Sequence, residues 1–186
     1  MRYFKTIILS LLLLLCPSFA LAQGTTATEK TIYLMGEVKM SSPAGQPYGS
    51  SVSLVKRTLM PAESKIIELV ASIDARGPVK EYTTIFEIKG AAFTVKDQEG
   101  TFAGSGELIG AAWDWSGWKY NVNMLGDNKG TLTAEDTFAN GTLMVKKSFS
   151  GPDGKMRVLF SEELKPISKA MYELLHAKLL GSGAVK

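Results

Sequence analysis

Three tryptophans, Trp113, Trp115 and Trp118, stand within six positions of a 186-residue chain that holds no others. Indole rings grouped this closely can wall an apolar ligand pocket, serve as a catalytic platform, or fill the bent corner of a β-barrel. Two further aromatic residues, Phe102 and Tyr120, lie in the adjoining runs, and Phe102 shares its parity with Gly104, Gly106, Leu108 and Gly110. Glycines on the same face as large rings leave room that the rings themselves can occupy. Further along, Asp136 and Lys147 are the charged members of a face otherwise made of Leu132, Ala134, Phe138, Leu143, Val145 and Phe149. An inward charge of this kind either fixes the polar head of a bound amphiphile or belongs to a buried or rim ion pair.

Other chemistries find less support. His176 is the sole histidine; it stands near Glu173, off the apolar stripe of its segment, and reads as an exposed side chain. A Ser-His-Asp triad or a multi-histidine metal site would have to be built around it alone. Glu107 and Asp114 could form an acid–base pair, but both fall on the parity opposite the aromatic residues, so outer-face groups are the simpler reading. The Gly104-x-Gly106 spacing is not followed by a helix, so it makes no phosphate loop. The expectation is a non-enzymatic protein with no catalytic residues, no metal site and no cofactor.

The elements that would position the aromatic cluster follow from periodicity. From Lys30 onward, short alternating runs are interrupted by turn residues every ten or so positions, the signature of an all-β sandwich or barrel. The strands centre on TIYLMGEVKM, SVSLVKRTLM, KIIELVASI, KEYTTIFEIK, AAFTVKD, TFAGSGELIG, AAWDWSGWKYNVNM, GTLTAEDTF, GTLMVKKSF and KMRVLFSEEL. Connections are short, and none offers a helical crossover, so neighbouring strands run antiparallel. The fold class is therefore all-β, an antiparallel up-and-down β-barrel of about ten strands. Closure is favoured over a sandwich because it removes both free edges.

After the last strand, Pro166 suits a first helical turn, Ile167, Ala170, Met171, Leu174 and Leu175 trace an apolar stripe, and Gly181 suits the stop. One C-terminal amphipathic helix is expected, laid across a barrel mouth or along the wall.

Register can be read at two places. On a regular strand Trp113 and Trp115 oppose Trp118, Tyr120, Val122 and Met124; a bulge at Ser116-Gly117 would bring all six to one face. Asn140-Gly141, although part of an Asn-Gly-Thr sequon, is first a type I′ hairpin turn between alternating runs. That turn sets Phe138 opposite Leu143, Asp136 opposite Val145 and Ala134 opposite Lys147, leaving Asp136 and Lys147 as diagonal neighbours.

The chain opens with MRYFKTIILSLLLLLCPSFALAQG, in which Arg2 and Lys5, an apolar run from Ile7 to Leu15, and Ala20-Leu21-Ala22 form the three parts of a secretory leader. The expected organisation is a signal peptide over 1–22, a flexible N-terminus over 23–29, a barrel over 30–164, a helix over 165–181 and a tail over 182–186. Cys16 follows Leu15 and precedes Pro17, which does not suit lipid attachment. The full chain has 21 Lys+Arg and 18 Asp+Glu. Loss of Arg2 and Lys5 leaves 19 − 18 = +1, too little charge to favour nucleic acid or an anionic membrane surface. The only cysteine leaves with the leader, so a mature chain of 186 − 22 = 164 residues would rely on packing alone. The expected location is secreted or periplasmic, without stable membrane insertion.

Ten short-looped antiparallel strands behind a signal peptide, ending in a helix, resemble the calycin-type barrels, the lipocalins and fatty-acid-binding proteins. The resemblance is architectural: Gly36-Glu37-Val38 stands where lipocalins carry G-x-W near the first strand. It implies a cup able to hold an apolar or amphiphilic small molecule and carries over no residue assignment; the clustering and parity described above make Trp113, Trp115, Trp118, Tyr120, Phe102, Asp136 and Lys147 the expected ligand-binding residues. The alternative is an envelope-associated structural or interaction protein with a filled core and no ligand.

Overall fold

The computed structural model describes residues 28–74, 80–108, 117–124 and 129–182, with the backbone alone described at 73–74, 80, 117–124 and 181–182. Ten strands are present among the described residues: β1 (Lys30–Ser41), β2 (Pro47–Met60), β3 (Lys65–Asp74), β4 (Lys80–Lys89), β5 (Ala92–Asp97), β6 (Phe102–Leu108), β7 (Gly117–Met124), β8 (Gly130–Ala139), β9 (Thr142–Ser150) and β10 (Met156–Pro166). Each pairs antiparallel with the next, and β10 returns to β1 through an eight-residue register from Leu34↔Pro166 to Ser41↔Leu159. The sheet is thus a closed up-and-down barrel with no free edge.

Its width follows from the register. Stepping through partners from Lys30 by way of Leu59, Phe86, Gly104 and Leu132 arrives at Val158, which stands one step beyond the Leu159↔Ser41 pair and so beside Ser42. The stagger once around is therefore 42 − 30 = 12 positions. Ten strands enclose more space than about eight, the number whose interior side chains can just fill. The seam between β1 and β10 is close: a Cβ added at Gly36 would sit 1.8 Å from the Glu163 carbonyl oxygen. Glycine is required there by the approach of two backbones.

Alternation divides each strand between lumen and outer wall. At the end that carries the β2–β3, β4–β5 and β8–β9 connections, the lumen is filled by Leu59, Ile66, Phe86, Ile88, Phe93 and Leu143, all buried. Phe86 and Phe93 meet edge to face with centroids 5.6 Å apart, a geometry that their ring quadrupoles favour. Toward the opposite end, inward-facing Met40, Leu132, Phe149 and Phe160 keep part of their surface, and Tyr82 keeps 39 %. The lumen has a packed apolar floor, and toward the other end its side chains keep part of their surface.

Helix α1 (Lys169–Ser182) lies along the outer wall. The chain leaves β10 at Pro166, which ends the strand instead of opening the helix, and Ile167 N–H donates to the Tyr33 carbonyl at 2.9 Å. Ser168 then caps the helix by accepting from Met171 N–H at 3.2 Å. The buried face is Tyr172 with Leu175 and Leu179, set against Tyr33, Met35, Leu54 and Ala71 on the outside of β1 to β3. Of the expected stripe, Ile167 and Leu175 pack against the wall, whereas Ala170, Met171 and Leu174 point to solvent, the last two at 47 % and 53 % exposure. Tyr172 decides the face because its ring meets Tyr33 at 5.1 Å and His176 at 5.4 Å. His176 is not the free solvated side chain expected: it is partly covered, stacked on Tyr172, and its Nε2 lies 2.6 Å from Glu81 Oε2.

Two other expectations need adjustment. β2 begins at Pro47, so the first connection is only 42–46, shorter than the SSPAGQPYGSS stretch suggested. The seventh strand is described only from Gly117; Trp113, Asp114, Trp115 and the Ser116 half of the expected bulge lie outside the described residues.

Candidate functional site

The Asn140-Gly141 turn fixes the first part of the site. Both residues have positive φ, 52° and 73°, as a type I′ turn requires, and the register beyond it runs Phe138↔Leu143, Asp136↔Val145 and Ala134↔Lys147. Asp136 and Lys147 consequently face the lumen. They do not pair with each other. Asp136 Oδ2 accepts from Arg57 Nη2 at 2.9 Å, while Lys147 Nζ donates to Glu162 Oε1 at 2.6 Å.

Arg57 is the hub. It stands on β2 directly opposite Glu68 of β3, and its Nε donates to Glu68 Oε2 at 2.5 Å. Its other bond reaches β8, four strands away around the barrel by way of β1, β10 and β9, so one guanidinium ties together walls that face each other across the lumen. Forked geometry and a permanent charge suit arginine to this double engagement. Burial works against its charge, but Glu68 and Asp136 outweigh that effect and hold the guanidinium above its ordinary value. For Asp136 burial prevails over the pull of Arg57, and its carboxyl is pushed up to about 6. Its second oxygen, Oδ1, is buried and has no hydrogen-bond partner among the described residues.

The described charges at mid-height are therefore Arg57, Lys147, Glu68, Asp136 and Glu162. Tyr82 stands beside them on β4, opposite Val70 and two positions from buried Thr84. Its phenol is held above its ordinary value by burial, and it senses Lys147, Glu162, Glu68 and Asp136 electrostatically. Although it faces inward, Tyr82 keeps 39 % of its surface accessible. Asp97, also inward, is turned to its own connection, where it accepts from Thr101 Oγ1 and Phe102 N–H.

The aromatic residues expected in the site are only partly placed. Phe102 is half-buried against the floor cluster. Positions 118 and 120 fall on the lumen face by register: Trp118 stands opposite Leu108 and Asp136, and Tyr120 opposite Gly106 and Ala134. Gly106 in turn lies between Phe93 and Tyr120, glycine facing aromatic positions on both sides. Trp113 and Trp115 lie outside the described residues. Glu107 is exposed on the outer face, where an outer-wall group was expected.

Arg57, Glu68, Glu162 and Tyr82 are additions that alternation alone did not reveal. On β2 both parities are apolar, because Leu54 is buried under the helix and Val55 in the lumen. Open concavities on the outer wall include one over β4 to β6, bounded by Glu87, Lys89, Thr94, Ser105 and Glu107, and one over β1, β9 and β10. Compared with known proteins, the chain matches no family model, and no curated protein is similar enough in sequence to match it.

Proposed function

We propose that this chain is an exported, non-enzymatic barrel that binds an apolar or amphiphilic small molecule in its lumen, in the manner of calycin-type cups. The observation that carries the reading is Tyr82: an inward tyrosine that keeps 39 % of its surface directly beside a belt of buried charges. A chain or ring entering from the less filled end would meet Met40, Phe149 and Phe160 on the way down and the charges at mid-height, a distribution that suits a molecule with an apolar body and one polar end. Export follows from the leader, and intact mass of the secreted protein tests it: a chain beginning at Gln23 is expected, and a retained, lipid-modified Cys16 would overturn this part.

Binding is tested by calorimetry with ten-carbon amphiphiles, together with the intrinsic tryptophan emission. Saturable binding at one site is expected, weakened when Tyr82→Trp fills the space beside the cluster. Absence of binding across uncharged, cationic and anionic ten-carbon chains would refute the proposal. The rival reading, a filled core with a working outer surface, draws on the solvent-facing Met171, Leu174 and Leu180 of α1. It would be favoured if no ligand bound while Met171→Glu with Leu174→Glu abolished association with another envelope component.

A further inference from the structure

Resting on the reading of the barrel as a small-molecule binder, we propose that its lumen site selects an amphiphile with a cationic, hydrogen-bond-donating head, such as a primary alkylamine, over one with a carboxylate head. Arg57 and Lys147 supply two positive charges and Glu68, Asp136 and Glu162 three negative ones, so the described cluster sums to 2 − 3 = −1. Both cations are already ion-paired: Arg57 with two carboxylates and Lys147 with one. A carboxylate head would bring the cluster to −2 and, among the described residues of the cluster, would gain a cation only by displacing Glu68, Asp136 or Glu162 from theirs. Like charges brought together in a desolvated site repel strongly.

Hydrogen bonding points the same way. Among the described residues Asp136 Oδ1 is a buried acceptor with no partner, on a residue that is itself only 3 % exposed. An unmet acceptor of this kind requires a donor. An ammonium group carries three donors and no acceptor, matching both the shortage of donors and the surplus of negative charge. A hydroxyl matches the first only, and a carboxylate matches neither. A bare metal ion fits less well, since among the described residues no three acidic or histidine side chains converge as ligands. The apolar part of the ligand would lie toward Met40, Phe149 and Phe160, which keep part of their surface on the open side of the cluster.

The test is isothermal calorimetry of the protein at about pH 7.5 with decylamine, decanol and sodium decanoate. Decylamine should bind about tenfold or more tightly than either of the others, the scale of one charge-assisted hydrogen bond. In Asp136→Asn the advantage over decanol should fall to about threefold or less, with decanol affinity unchanged. Should that variant fold poorly, the unmodified protein supplies the second measurement. Asp136 faces Arg57, Glu68 and Lys147, with Tyr82 and Glu162 beside them, and its proton uptake on acidification to about pH 5 should reduce the amine preference. Decanoate binding as tightly as decylamine, or a preference indifferent to both Asp136→Asn and acidification, would overturn the inference while leaving the binding reading intact. Failure of all three ligands to bind would overturn both.

Discussion

Asp136→Asn should make the protein more stable at neutral pH. The carboxyl is displaced from 3.8 to about 6 by burial, with Arg57 and Lys147 opposing and Glu68 adding to the shift. About two pKa units at 1.36 kcal/mol each correspond to roughly 3 kcal/mol of preference for the protonated form in the folded state. The sign follows from proton counting. Below about pH 4 Asp136 is protonated in both folded and unfolded chains, and its full contribution is present. As pH rises, the unfolded chain releases the proton first while the folded chain retains it to about 6, so stability falls across that window and then levels.

Asparagine has the shape of the protonated acid and cannot ionise, and Arg57 keeps its bond to Glu68. The variant should therefore equal the parent near pH 4 and exceed it by up to about 3 kcal/mol above pH 6. Urea denaturation of both proteins from pH 4 to 8 measures this, because the titration of acids remote from Asp136 is common to the two and cancels in the difference, leaving Asp136 and its response with Glu68. A variant less stable than the parent at pH 8, or a difference that does not vary with pH, would refute the reasoning and show that the ion pair with Arg57 outweighs the cost of burying the carboxylate.

Three other outcomes are expected. Lys147→Met removes the cation from buried Glu162 and should cost about 3 to 5 kcal/mol in urea denaturation, with much of the loss recovered by the double change to Lys147→Met and Glu162→Leu. Tyr172→Ala should release α1 from the wall at a cost of about 3 to 5 kcal/mol, seen as lost helical circular dichroism; decyl-chain binding should survive, because the helix packs on the outside of the barrel, against β1 to β3 and, through His176, against Glu81 of β4. Gly36→Ala should cost more than about 3 kcal/mol in thermal or urea unfolding, since its Cβ would meet the Glu163 backbone at the β1–β10 seam; wild-type stability would show that the seam opens freely.

Where the sequence carried a local device, the structure could be read from it. Asn140-Gly141 demanded a type I′ turn, and from that turn alone the inward direction of Asp136 and Lys147 and their opposite residues follow. Where the decisive partner is remote, alternation was silent. Arg57 meets Asp136 across 79 positions and four strands, a proximity that arises only when the sheet closes with its particular stagger. The diagonal pairing of Asp136 with Lys147 was physically reasonable but lost to nearer carboxylates and a longer, forked cation. The helix shows a third kind of ambiguity. Met171 and Leu174 form one apolar arc and Tyr172, Leu175 and Leu179 another, and the choice is made by Tyr33 and Leu54 on the wall, which the helical sequence does not contain.

The charge cluster is a poor device for stability alone. Desolvating five ionised groups opposes folding, and well-packed apolar replacements of buried ion pairs are often more stable by about 1 to 4 kcal/mol. The same lumen shows that such packing is available to this chain, since Leu59, Ile66, Phe86 and Phe93 close the floor without a polar atom in their side chains. Arg57 also spans from β2 to β8 as well as to β3, so its length sets a separation between facing walls that a collapsed core would not keep. On the proposed binding reading, a side chain that bridges facing walls at mid-height, with an accessible tyrosine next to it and, among the described residues, an unmet acceptor at its far end, would preserve space and polarity together. Those are the two properties that a lumen needs in order to receive a polar head, and neither is needed by a barrel whose interior serves only to be filled.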